Sequence, residues 1–111
     1  MAQAPAPGDP TTLSIAGLAD AFAAGRLTPI DVTAAYLARI DRENPVLGAF
    51  VTVTRERAVD DTRRVLTQLA AGASPGPLAG VPIAHKDLFA TRGIRTTGGS
   101  RLHERWIPER D

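Results

Sequence analysis

The prediction of the fold starts from one stretch, which reads Gly80-Val81-Pro82-Ile83-Ala84-His85-Lys86-Asp87. Residues 81–84 are apolar on both faces of a predicted β-strand, which is typical of a strand inside a sheet with layers on both sides. The strand leaves Lys86 near its end, beside a Gly-rich polar stretch at 90–100. A lysine that loses its proton through desolvation can act as a base near neutral pH. On spacing alone, a merely solvated lysine is the better interpretation.

Three amphipathic helices are predicted upstream of this strand. Ser14 is a good N-cap for a first helix that runs to about residue 24. Thr28 would cap a second helix, with a proline at its first position and an acid at its third, and Pro45 would end it. A third helix is predicted over 56–71, with a charged face directed to water.

These elements predict an α/β fold, but they are too few to form a complete domain. A second β-favouring run lies at 50–53, but two strands form only a marginal sheet. The chain does not supply the layers that the strand at 81–84 needs. We therefore expect residues 13–111 to be the N-terminal part of a larger domain, preceded by a disordered, Ala- and Pro-rich tail at 1–12.

Composition excludes several classes of function. The net charge is +1 and the arginines are scattered, so no basic field is available to hold nucleic acid. No apolar run approaches the roughly 20 residues that a membrane-spanning helix needs. The absence of cysteine excludes disulfides and thiolate zinc sites, and two histidines leave a metal site poorly supplied. The start lacks the features of a secretory signal, so we expect a cytoplasmic protein.

Several stretches together resemble the amidase signature family. The stretch at 78–87, followed by Gly93-Ile94-Arg95-Thr96-Thr97-Gly98-Gly99-Ser100, is similar to the N-terminal block of that family. The upstream pattern agrees over 25–29, 35–40 and 44–51. The resemblance implies an α/β fold with a large mixed sheet flanked by helices, of which this chain would hold the N-terminal helices and the first strands.

The resemblance also implies an activity, the hydrolysis of a small-molecule carboxylic amide without cofactor or metal. The family uses a Ser–cis-Ser–Lys triad, and Lys86 occupies the position of its lysine. The two serines and the oxyanion-hole amides of the family lie in a Gly/Ser-rich segment that these 111 residues do not contain. We therefore expect this chain to be inactive as an isolated polypeptide.

Two alternatives to a self-standing amidase stay open. One lies within the family: the A subunit of the glutamyl-tRNA amidotransferase, which would work with partner subunits. The other is a non-catalytic interaction module from a truncated gene, which would keep Lys86 as a relic. Continuation of the reading frame into a Ser/Gly-rich segment would favour either enzyme over the non-catalytic module.

Four further polar residues are candidates for the site. His85 alternates away from Lys86 along the predicted strand, which favours a hydrogen-bonded packing histidine. Ser100 could form a dyad with Lys86, although a turn serine that bonds backbone is the favoured interpretation. Asp87 is expected to orient a neighbour or to accept a local backbone hydrogen bond, and His103 to be a loop residue.

Overall fold

The fold is described by a computed structural model over residues 8–111. The described residues form two compact units, one comprising residues 8–47 together with Arg55–Pro82, the other Gly48–Thr54 together with Ile83–Asp111. The described residues contain three α-helices, which are α1 (Ile15–Ala23), α2 (Pro29–Leu47) and α3 (Arg55–Ala70), and two 3-10 helices, Pro10–Thr12 and Arg101–His103. All three α-helices belong to the first unit.

The start and end of α1 follow from the local sequence. The Ser14 hydroxyl accepts a hydrogen bond from the Gly17 N–H at 3.0 Å, which satisfies one of the free donors of the first turn. After the helix, Gly25 takes a φ of +70°, a left-handed conformation that costs glycine little. The predicted first helix is confirmed.

The start of α2 is a reciprocal capping box. The Asp31 N–H donates to the Thr28 hydroxyl at 3.2 Å, and the Thr28 N–H donates to the Asp31 carboxylate at 3.1 Å. The predicted start is therefore confirmed, but the predicted end is wrong, because Pro45 lies inside the helix and α2 continues to Leu47. A proline this close to the end removes a single N–H from the last turns, which the rest of a long helix tolerates.

The first unit has a small core built around α1 and α2. Its buried apolar residues are Leu18, Ala21, Val32 and Leu37. The helix α3 packs against α2 and buries Thr62, whose hydroxyl donates to the Val59 carbonyl at 2.6 Å. The outer face of α3 carries exposed charged side chains, as predicted, and several of them form ion pairs, among them Arg57 with Asp61 at 3.1 Å. These pairs are exposed and contribute little stability.

Neither predicted strand is present in the described part of the chain. Residues 50–53 and 81–84 form no ladder, and the isolated bridge between Thr91 and Ile94 is the nearest approach to β-structure. The Val81 N–H instead closes a turn onto the Leu78 carbonyl at 3.1 Å. A strand exists only when a neighbouring strand takes its hydrogen bonds, and residues 8–111 offer none. The described residues are therefore helical with long loops, and the α/β class is not confirmed.

The predicted tail at 1–12 falls partly outside the described residues, which begin at Gly8. Within the described part, Asp9 accepts a hydrogen bond from the Thr11 N–H at 2.9 Å and caps the first 3-10 helix. The Arg39 guanidinium of α2 donates to the Thr11 hydroxyl at 3.2 Å. Residues 9–12 are thus held by defined contacts rather than free. No helix among residues 8–111 is long and apolar enough to cross a membrane.

Candidate functional site

Lys86 lies in the second unit, at the start of a turn. Its carbonyl accepts a hydrogen bond from the Phe89 N–H at 3.1 Å, and its side chain is exposed. The residues before it, 83–85, are exposed as well, with Ile83 at 72%. The desolvation expected from a doubly covered strand is therefore not provided by the described residues. The second unit instead fixes the backbone that follows the lysine.

That fixed backbone comes from the next residue, Asp87, which is bonded through both its side chain and its main chain. One carboxylate oxygen accepts a hydrogen bond from the Thr97 N–H at 2.8 Å, and the other accepts one from the Thr97 hydroxyl. The Asp87 carbonyl accepts a hydrogen bond from the Gly98 N–H at 2.6 Å. The Thr97 hydroxyl in turn accepts from the Gly99 N–H at 3.1 Å. We call this set of bonds, in which Thr97 and Gly98 bond Asp87 and Gly99 bonds Thr97, the Asp87 clamp.

Thr97 is the centre of the clamp. It is buried at 6% exposure, and its hydroxyl donates its one hydrogen to Asp87 while accepting from Gly99. The hydrogen bonds from the Thr97 hydroxyl and then from the Thr97 N–H hold the pKa of the Asp87 carboxyl below its ordinary value of 3.8, and the charge of Arg95 adds slightly to this effect. Asp87 is thus an acceptor for backbone and hydroxyl groups, in line with the prediction made for it.

The lowered pKa of Asp87 predicts a pH dependence of stability, and its cause can be tested by mutation. Ionised Asp87 stabilises the second unit above its unfolded-state pKa, and this stabilisation is lost as the pH falls through the lower folded-state value. We expect Thr97→Val to remove the main cause, so that the pKa of Asp87 rises toward 3.8. Carbon-detected NMR titration of the Asp87 carboxyl measures it.

Thr96→Val is the matched control for this titration. Thr96 is equally buried, but its hydroxyl donates to the Ile94 carbonyl at 3.0 Å and not to Asp87. Its removal should leave the Asp87 titration unchanged. An Asp87 carboxyl that titrates in Thr97→Val as it does in the parent chain would contradict the assigned cause.

The loop that carries Thr97 is itself tied to the last residues of the sequence. The Thr96 N–H donates to the Trp106 carbonyl at 3.0 Å, and the Gly93 N–H donates to the Pro108 carbonyl at 2.9 Å. The Arg92 N–H donates to the Asp111 carboxylate at 2.8 Å. Because these bonds fix the loop on its other side, Thr97 meets Asp87 as part of a braced segment rather than a free loop.

The other candidate residues take less specific places. The Ser100 hydroxyl accepts a hydrogen bond from the Leu102 N–H at 3.2 Å and caps the second 3-10 helix, which is the backbone-bonded turn expected for it. His85 is exposed, so the packing role expected for it is not confirmed, and His103 lies with its ring 5.9 Å from that of Trp106. Among residues 8–111, no three His, Cys, Asp or Glu side chains come together in a way that could hold a metal ion.

Comparison with known proteins identifies the family to which this chain belongs. The family model described as Amidase matches residues 31–111, which include most of α2, all of α3 and the whole Asp87 clamp. The chain belongs to the amidase family. Its lysine and its clamp therefore lie within the part of an amidase that the family model describes.

Three curated relatives of this amidase-family chain share one name. The A subunit of glutamyl-tRNA(Gln) amidotransferase from Streptomyces avermitilis is 48% identical over 99 residues, which is 89% of this chain and 20% of the relative. The protein of the same name from Streptomyces coelicolor is 46% identical with the same coverage, and that from Cutibacterium acnes is 44% identical over 100 residues. The chain thus spans about a fifth of the length of these relatives.

Thr97 is a residue of this amidase-family site that the sequence did not predict. Its partner in the clamp lies ten residues earlier, and no periodic pattern links the two positions. The available signal was a threonine directly before two glycines, since such a residue can bond the turn that follows it. That signal indicates a turn, but it does not say which carboxylate the hydroxyl meets.

Proposed function

We propose that this chain supplies the lysine base of an amide-cleaving enzyme, as the N-terminal part of an amidotransferase A subunit. Membership of the amidase family supports the chemistry. The observation that carries the proposal is that Lys86, the position matching the family's lysine, is joined to an aspartate whose carboxylate and carbonyl oxygens all accept hydrogen bonds from Thr97 and Gly98. The names of the relatives from Streptomyces and Cutibacterium support the A-subunit role over a self-standing amidase.

The proposed reaction follows the Ser–cis-Ser–Lys chemistry that the resemblance implies. The neutral amine of Lys86 takes a proton from a bridging serine, which takes one from the nucleophilic serine as that hydroxyl attacks the amide carbonyl. The C–N bond then breaks, and the proton passes back to the departing nitrogen. Water releases the acyl group from the serine. Both serines come from the Gly/Ser-rich family segment outside these 111 residues.

We propose that the same family segments complete the environment of the lysine. A neutral amine at working pH requires desolvation, and the Lys86 side chain is exposed in the described structure. In the intact domain, residues 81–84 would pair with further strands of a mixed sheet flanked by helices. That α/β domain would contain residues 13–111 as its first part. The proposed substrate is a small-molecule amide, the proposed partners are the other amidotransferase subunits, and the proposed location is the cytoplasm.

A chimera tests this function. The 99-residue segment of the Streptomyces avermitilis relative that matches this chain would be replaced by the corresponding residues of this chain. We expect the chimera to release ammonia from its amide donor when it is combined with the partner subunits of the relative, because the lysine and the clamp would sit beside serines supplied by the relative. The 111-residue chain alone is expected to release none.

Two controls make the result decisive. The unaltered relative sets the full rate, and the relative with its matching segment deleted sets the background. A chimera that folds and assembles but stays at background would overturn the proposed function. A chimera that hydrolyses simple amides without partner subunits, and does not support amidotransferase activity with them, would favour the self-standing amidase instead.

A further inference from the structure

We propose that Asp87 is a positioning residue for Lys86, acting through the Asp87 clamp; this inference rests on the proposed function. The geometry points to that role because the two peptide units that flank the Asp87 α-carbon are each fixed by a separate hydrogen bond. The Lys86 carbonyl is held by the Phe89 N–H, and the Asp87 carbonyl is held by the Gly98 N–H. The side chain of Asp87 adds two more bonds to Thr97.

The consequence of this bonding is a fixed direction for the lysine side chain. Because the backbone on the C-terminal side of Lys86 cannot turn without breaking bonds to a braced loop, the direction of its Cα–Cβ bond is set relative to residues 97–99. A lysine side chain is long and flexible. The backbone can therefore control only the position and direction of its Cα–Cβ bond. A displacement of about 1 Å at a reacting group can cost about a hundredfold in rate.

Two other roles for Asp87 fit the contacts less well. A general acid must carry a proton, yet both carboxylate oxygens accept hydrogen bonds that favour the ionised form. A direct ion pair with Lys86 would place the ammonium beside the carboxylate, and the ion pairs of the described residues do not include one between these two side chains. The carboxylate instead uses its acceptors on Thr97, which is what a positioning role requires.

The test measures kcat and KM in the active chimera for two matched threonine variants. Thr97→Val removes the hydroxyl that donates to Asp87, whereas Thr96→Val removes an adjacent and equally buried hydroxyl that bonds Ile94. We expect Thr97→Val to lower kcat about ten- to a hundredfold with little change in KM. Thr96→Val should leave kcat per folded molecule unchanged. Thr97→Ser keeps the hydroxyl and should restore most of kcat.

Asp87→Asn provides a second route should Thr97→Val fail to fold. The carboxamide keeps one acceptor for the Thr97 N–H but loses the acceptor for the hydroxyl, so kcat should again fall with KM nearly constant. Folded fraction is measured by circular dichroism, and kcat is expressed per folded molecule. A purely structural role would lower the folded fraction and leave that kcat intact, and such a result would overturn the positioning role.

The variants separate a loss of the positioning role of Asp87 from a loss of the proposed base role of Lys86. If Lys86→Ala is inactive while Thr97→Val and Asp87→Asn keep full kcat, the base assignment stands and the positioning role falls. If Lys86→Ala keeps full activity, the proposed function itself falls. If all three variants lose kcat and Thr97→Ser and Thr96→Val do not, the clamp positions the lysine.

Discussion

Replacing Lys86 by alanine is expected to lower kcat of the active chimera by about a thousandfold or more. The residue is the only member of the proposed triad within these 111 residues, and removing one member of such a unit loses almost the whole of its contribution. KM should change little, because the lysine is proposed to move a proton rather than to bind the substrate. Initial rates of ammonia release over a range of amide-donor concentrations measure both quantities.

Two further variants separate the base from a mere positive charge. Lys86→Arg keeps the charge, but a guanidinium does not lose its proton in proteins, so this variant should be as inactive as alanine. His85→Ala alters the neighbouring side chain, which is also exposed, and should keep nearly full activity. Substantial activity in Lys86→Arg would show that the site needs a cation and not a base.

The parts of the fold that could be predicted from sequence are those set by neighbouring residues. The caps at Ser14 and Thr28 need partners three residues away, and both predicted caps are present. The predicted third helix agrees with α3 to within one residue at each end, since its periodicity is local too. The predicted end of α2 was wrong at Pro45, because sequence alone does not distinguish a proline that ends a helix from one that lies within its last turn.

The parts that could not be predicted depend on contacts between residues that are distant in the sequence, or on a pairing partner that residues 8–111 do not supply. The apolar run at 81–84 has strand character, but pairing requires a neighbouring strand that residues 8–111 do not supply. The bond between Asp87 and Thr97 crosses a loop with no periodicity to indicate its closure. Lys86 itself was located by its resemblance to a family motif, since composition and spacing favoured a solvated lysine.

Gly80, which begins the stretch that leads to Lys86, carries the second large expected effect. It has a φ of +82°, and a Cβ at this position would lie 2.6 Å from Cγ of Pro29 and 3.3 Å from Cε2 of Phe22. Pro29 is the buried first residue of α2. We therefore expect Gly80→Ala to destabilise the first unit both by backbone strain and by a clash with a rigid ring, together about 2–5 kcal/mol.

Gly72→Ala is the control that separates these two causes. Gly72 has a φ of +80°, almost the same as that of Gly80, but a Cβ there would meet nothing within 4 Å. It should therefore report the backbone strain alone, about 1–2 kcal/mol. Urea unfolding of the 111-residue chain, followed by the circular dichroism of its helices, gives both free energies. Equal losses for the two variants would mean that the contact with Pro29 adds nothing, whereas a larger loss for Gly80→Ala would show that this glycine is required because the start of α2 packs directly against its backbone.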